Sequence, residues 1–230
     1  MRSWRLFNIF GIEIRIHPSF FVTPLFIAYH YSKNSPFDES VRVFVLVCLI
    51  FICVLGHELT HSVRAKALGI PVPYITLYPI GGVASMARIP SKPMDEFTVS
   101  IVGPLFNFTL AALAYFPLLL WMGHGRLFSP NFSDWKGVAS NLFWANPVLG
   151  CFNLIPAFPM DGGRILRSLL SMRLGRIKAT QFSVVLGQLF AILFALTAVF
   201  TRNWMLFFVA GFVFFSARRE QGIVRYDQNY

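Results

Sequence analysis

Six apolar stretches, at roughly 18–31, 41–66, 98–122, 139–159, 181–201 and 203–217, dominate this chain, and a helix that crosses a bilayer needs about 20 such residues in a row. Little charge interrupts them. Of 230 residues, 56% are hydrophobic and 13% charged, whereas a soluble domain carries about a quarter of its residues charged. Lipid is therefore the expected solvent for most of the chain. The fold class that follows is an α-helical polytopic membrane protein with about six transmembrane helices. The first and last stretches are short, and Pro24 is expected to interrupt the first.

Between the spans the sequence changes character. Residues 1–17 alternate loosely around Gly11, as in Phe10-Gly-Ile-Glu-Ile-Arg-Ile, which predicts an amphipathic β hairpin at the membrane surface. Residues 74–88 read as two further β runs around a turn at Gly81-Gly82. No internal repeat or low-complexity linker divides the rest. The expected organisation is one membrane-embedded domain over 1–230. It consists of a surface hairpin at 1–17, a six-span core over 18–217 that includes the 74–88 β segment on the cytoplasmic surface, and a cytoplasmic tail at 218–230.

The formal net charge of +10 invites a nucleic-acid reading, but the Lys and Arg lie between apolar runs rather than on one amphipathic face, so no nucleic-acid partner is expected. They mark sidedness instead. With the N-terminus inside, most of the 20 Lys and Arg fall in inside segments, among them Arg15, Arg64, Lys66, Arg88, Arg164, Arg167, Arg173 and Arg218. Such a bias places both termini in the cytoplasm of a multi-pass protein of the cell membrane. The three cysteines have no CxxC spacing and read as small buried hydrophobes. The N-terminus lacks the apolar core and cleavage site of a signal peptide.

An ionisable group inside a span is costly and is a functional candidate by default. Of the ten Asp and Glu, Glu58 and Asp161 lie inside apolar segments, and His57 and His61 are the histidines well inside a span. Gly56-His57-Glu58-Leu59-Thr60-His61 is an HExxH run. Its i, i+4 spacing puts both imidazoles on one helix face, close enough to share a metal ion, with Glu58 beside them to reach a metal-bound water. Asp161 lies in Asn153-Leu-Ile-Pro-Ala-Phe-Pro-Met-Asp161-Gly-Gly-Arg164, which closes the fourth span and whose prolines and glycines break the helix at membrane depth. Such a break is tolerated only where protein or a wet cavity satisfies the backbone. His57 stands about 10–14 Å along a helix from Arg64 or Lys66, at 1.5 Å per residue. Asp161 is three residues from Arg164, so both motifs are expected in the cytoplasmic half of the bilayer.

The HExxH span, the Gly81-Gly82 segment, Gly103-Pro104 in the third span and the Asn-x-x-Pro-x-x-Pro-x-Asp-Gly-Gly-Arg run together resemble the site-2 protease family of intramembrane zinc metalloproteases, in its six-span microbial form. The resemblance covers nearly the whole chain. It implies one Zn2+ per chain on His57, His61 and Asp161, a catalytic Glu58, and a role for Asn153 in holding substrate or the oxyanion. It also implies single-span transmembrane substrates, trimmed first by another protease and cut in regulated intramembrane proteolysis. Thr60 departs from the Gly usual before the second His. No PDZ module is expected between the spans, and no CBS pair in the residues after Ser216, although some members carry them.

Two imidazoles and a carboxylate leave zinc an open position, as in catalytic rather than structural sites. A helical substrate must unwind before its carbonyls can be reached. An edge of the 74–88 segment could receive the unwound strand, with Gly81 and Gly82 allowing close backbone approach. Plainer readings stand beside these. Asn153 serves equally as an interhelical hydrogen-bonding group, and for Asn107 packing or polar glue is the favoured role. Two other functions fit some of the residues: a membrane divalent-metal transporter, and a catalytically silent pseudoprotease that binds membrane helices. A transporter has no need of Glu58 next to the first histidine, and intact ligands argue against the pseudoprotease.

Overall fold

The computed structural model describes residues 3–33, 35–79 and 81–226, so Met1, Arg2, Asn34, Ile80 and the last four residues of the expected tail lie outside the described residues. Its elements are mostly helical. In chain order they are β1 (Trp4–Ile9), β2 (Ile12–Ile16), a 3-10 turn (Pro18–Phe21), α1 (Val22–Ser32), α2 (Phe37–Ala67), β3 (Tyr74–Tyr78) and β4 (Gly81–Ala84). There follow α3 (Pro93–Met122), α4 (His124–Leu127), α5 (Trp135–Asn153), α6 (Asp161–Leu174), α7 (Arg176–Thr201) and α8 (Trp204–Tyr226). Contacts group the chain into two compact units, residues 1–88 with 102–150, and residues 89–101 with 151–230.

In the first unit the two β segments expected separately form one four-stranded sheet, ordered β1-β2-β3-β4. The outer pairs are antiparallel and β2 pairs with β3 in parallel, Ile14 opposite Ile75. Parallel neighbours need a crossover, and α1 and α2 supply it. The chain leaves β2, runs through both helices and returns to the sheet at the C-terminal end of α2. Ile12, Ile14 and Ile75 are fully buried, and Leu77 packs with Phe20 and Phe51, so the sheet and α2 share one core. Lys66 near the end of α2 donates to the Phe10 carbonyl at 2.6 Å, fixing the hairpin turn to the helix.

α2 is built to be long. Asp38 and Glu39 lie in its first turn and Arg64 and Lys66 in its last, each charge matching the nearer end of the helix dipole. It stops where Gly69, with φ +73°, takes the left-handed conformation and its N–H bonds the Lys66 carbonyl. Pro24, expected to interrupt the first span, instead lies in the first turn of α1, where no intrahelical N–H is needed.

In the second unit, α7 packs along α8 and α6 along α7. Ala157, Met160, Ala191 and Val213 form one core and Phe158, Val184 and Ala217 another. The basic segment after Asp161 is the helix α6, which has no counterpart among the expected apolar stretches. α8 continues the expected 203–217 stretch to Tyr226. Among the described residues three helices, Phe37–Ala67, Pro93–Met122 and Arg176–Thr201, are long and apolar enough to cross a membrane.

Candidate metal centre

His57, Glu58 and His61 lie in the C-terminal third of α2. One helical turn separates the two imidazoles, which brings their Nε2 atoms to 3.1 Å from each other. Both rings are buried, each 5% exposed. Two nitrogens about 2.0–2.1 Å from one tetrahedral zinc stand roughly 3.3 Å apart, so the pair has the spacing of two ligands to one ion. The surroundings fit as well. At Gly103 on α3, a Cβ would overlap His61 Nε2 and stand 2.7 Å from His57 Nε2. Only glycine leaves open the space beside the two nitrogens where an ion would sit. Pro104 follows, fully buried within the helix.

The far side of the His57 ring is held. Its Nδ1 lies 2.6 Å from Asn107 Oδ1. Asn107 Nδ2 donates to Asn146 Oδ1 at 3.0 Å, and Asn146 Nδ2 donates to the Leu142 carbonyl at 2.9 Å. Packing or polar glue is the role expected of Asn107 from the sequence, and the hydrogen bonds to His57 and Asn146 are of the second kind; Asn146 is not singled out there. The available signal was an amide in each of two apolar helices, costly in lipid unless partnered.

Glu58, between the histidines, is half-buried and lies against β4. A Cβ on Gly82 would come 2.6 Å from Glu58 Cγ. Gly81 and Gly82 therefore open strand β4 rather than form the turn expected of them. Gly82 is small because the catalytic candidate packs on it, and Gly81 has φ +151°, which favours glycine. β4 is an outer strand of the sheet.

Asp161 belongs to the second unit. It is the first residue of α6 and is 8% exposed, where the positive end of the helix dipole favours a carboxylate. The 154–160 loop is pressed against the start of that helix. Side chains at Gly162 or Gly163 would collide with backbone atoms of residues 154–158, so the double glycine is what lets the loop fold back. Arg167, one and a half turns on and 1% exposed, ion-pairs with Glu96 and, at 3.0 Å, with Glu220. Its guanidinium lies over the Phe158 ring, 4.9 Å from the centroid. Asn153 is the last residue of α5, half-buried.

An HExxH pair on an apolar helix, its glutamate against a small sheet, has the residue set of a metallopeptidase site. The sequence pattern of Peptidase family M50 matches residues 45–132 and 129–197, and the chain belongs to that family. It is 38% identical over 225 residues to a zinc metalloprotease of Methanocaldococcus jannaschii, which is 98% of this chain and 62% of that protein. It is 32% identical over 181 residues to Rip3 of Mycobacterium tuberculosis, covering 75% of this chain and 45% of Rip3. The chain thus spans less than two thirds of the length of these curated relatives. The fold is similar to that of the solved site-2 protease from Methanocaldococcus jannaschii, with a TM-score of 0.68 and 36% identity over 96% of this chain and 95% of that one.

Proposed function

We propose that the chain is an intramembrane zinc metalloendopeptidase. It cuts peptide bonds within or near the transmembrane helices of single-span proteins already trimmed by another protease, in regulated intramembrane proteolysis. The observation that carries this reading is the His57–Glu58–His61 cluster, with two Nε2 atoms converging at 3.1 Å inside an apolar helix. Family membership supports it independently.

In this reading His57, His61 and Asp161 hold one zinc ion. Zinc so held supplies a Lewis acid and acidifies a water molecule. Glu58 takes the proton from the attacking water and delivers it to the departing amine. Asn153 holds the substrate or its oxyanion. The substrate, unwound from its helix, adds as a strand to the outer edge of β4, replacing the backbone bonds it has lost. Gly81 and Gly82 let its backbone approach Glu58. α1, α2, α3, α5, α7 and α8 are the six spans of a cell-membrane protein whose termini are both cytoplasmic. His57 is ten residues from the Ala67 end of α2, about 15 Å along the helix, which puts the chemistry in the cytoplasmic half of the bilayer.

Glu58→Gln tests the assignment. Reconstituted with a single-span substrate, the variant is expected to retain zinc, measured by elemental analysis, and to lose cleavage by at least about 10²-fold, as for loss of a general base. Cleavage at the unmodified rate would remove Glu58 from the mechanism. Zinc-dependent uptake into the vesicles without cleavage would make the chain a transporter, and zinc binding without either activity a silent helix-binding protein.

A further inference from the structure

The two amides behind His57 have a direction. Asn146 and Asn107 are 3% and 0% exposed, on helices α5 and α3. A backbone carbonyl can only accept, so the contact of Asn146 with the Leu142 carbonyl at 2.9 Å must be made by its NH2 group. Its Oδ1 then faces Asn107 and can only accept, so Asn107 turns its own NH2 to that oxygen, 3.0 Å away. That leaves Asn107 Oδ1 toward His57 Nδ1 at 2.6 Å, and an amide oxygen can only accept. The proton in this contact therefore belongs to Nδ1. A neutral imidazole protonated at Nδ1 carries its lone pair on Nε2, the atom that faces His61. With the proton on Nε2 instead, Nδ1 and Asn107 Oδ1 would be two acceptors 2.6 Å apart with no hydrogen between them, in a buried place where such a mismatch is costly.

We propose that Asn107 and Asn146 are positioning residues that hold His57 in its Nδ1–H tautomer and keep its Nε2 lone pair turned toward the metal site. The direction is set at a distance, by the α5 carbonyl of Leu142, and passed across two helices. The consequence for metal binding rests on the zinc reading above; the tautomer itself does not. A simple interhelical glue role for Asn107 would need only some hydrogen bond, in either direction. The tautomer needs this one.

Two measurements on the full chain in detergent test it. The first is the ring 15N spectrum of the zinc-stripped wild type, with His57 assigned from the signals lost in His57→Gln. It is expected to show Nδ1 protonated and Nε2 unprotonated. The second is zinc affinity by competition with a chromophoric chelator. Asn107→Leu is expected to bind zinc about 10–100-fold more weakly, the usual cost of losing the group behind a ligating histidine. The Asn107→Asp, Asn146→Leu double variant keeps an acceptor for Nδ1–H and removes the Asn146 oxygen that would otherwise face the new carboxylate, so it is expected to bind close to wild type. Asn146→Leu alone is expected to show a smaller loss than Asn107→Leu. A proton found on Nε2 would overturn the proposal. So would an Asn107→Leu chain that melts lower yet binds zinc as the wild type does. If Asn107→Leu does not fold, the wild-type spectrum and the affinity of the double variant decide. A wild type with Nδ1–H that binds no zinc would support the tautomer while removing the zinc reading.

Discussion

Gly103 and Gly82 are small for chemical rather than conformational reasons. At Gly103 a methyl group would occupy the space beside both Nε2 atoms, and at Gly82 it would displace Glu58. Gly103→Ala is expected to abolish zinc retention through purification while helix content by circular dichroism stays near wild type, since an alanine suits a helix better than glycine by about 1 kcal/mol. A Gly103→Ala chain that retains stoichiometric zinc would contradict this placement of the ion. Gly82→Ala is expected to leave zinc bound and to slow cleavage. At this scale the HExxH motif was legible in the sequence because residues i and i+4 meet on any helix, whatever the tertiary fold. The asparagines were not. Asn107 and Asn146 are 39 residues apart and their contact exists only once two helices pack.

Charge separates the elements that are legible in the sequence from those that are not. The long apolar helices declare themselves by hydropathy. Helix α6 does not, because its arginines resemble topology signals, and Arg167 differs from its neighbours in being buried and paired. Fully buried between Glu96 and Glu220, it ties α6 to the start of α3 and the end of α8 within the second unit. Arg167→Met would leave Glu96 buried at 4% exposure without its cation. Losing one partner of a buried pair costs about 3–5 kcal/mol, so a lower midpoint is expected in thermal unfolding in detergent. Replacing Glu96 by Leu as well should recover much of that loss, whereas Arg173→Met, on an exposed arginine, should have little effect. The four-stranded sheet was legible as hairpins and not as a sheet, because the β2–β3 pairing spans the whole of α1 and α2.

A second element-scale expectation concerns pH. Asp134 accepts the Gly137 N–H at 2.8 Å at the start of α5 and pairs with Arg126. The Gly137 bond first, and then the arginine, hold its carboxyl below the usual carboxylate range. A depressed folded pKa means that this cap is fully stabilising above about pH 4, the unfolded value, and is lost as pH falls through the folded value. Acid unfolding of wild type and Asp134→Asn should therefore differ at neutral pH and converge in acid. An equal gap at every pH would contradict the contribution of the ionised carboxyl, since an asparagine caps a helix about as well as an aspartate.

For the whole molecule, composition alone indicates a membrane protein, and family membership agrees with that, as do the three spanning-length helices among the described residues. The proposed chemistry belongs at this scale, because a metal site within lipid implies substrate bonds within lipid. The most direct measurement is mass spectrometry of the new termini made when the full chain is reconstituted with a single-span substrate, compared with chelator-treated and Glu58→Gln samples. Intramembrane metalloproteolysis predicts termini inside the apolar segment of the substrate, toward its cytoplasmic end, appearing only with metal and Glu58 present. Termini confined to the soluble flanks, or cuts unchanged by chelation and by Glu58→Gln, would contradict it.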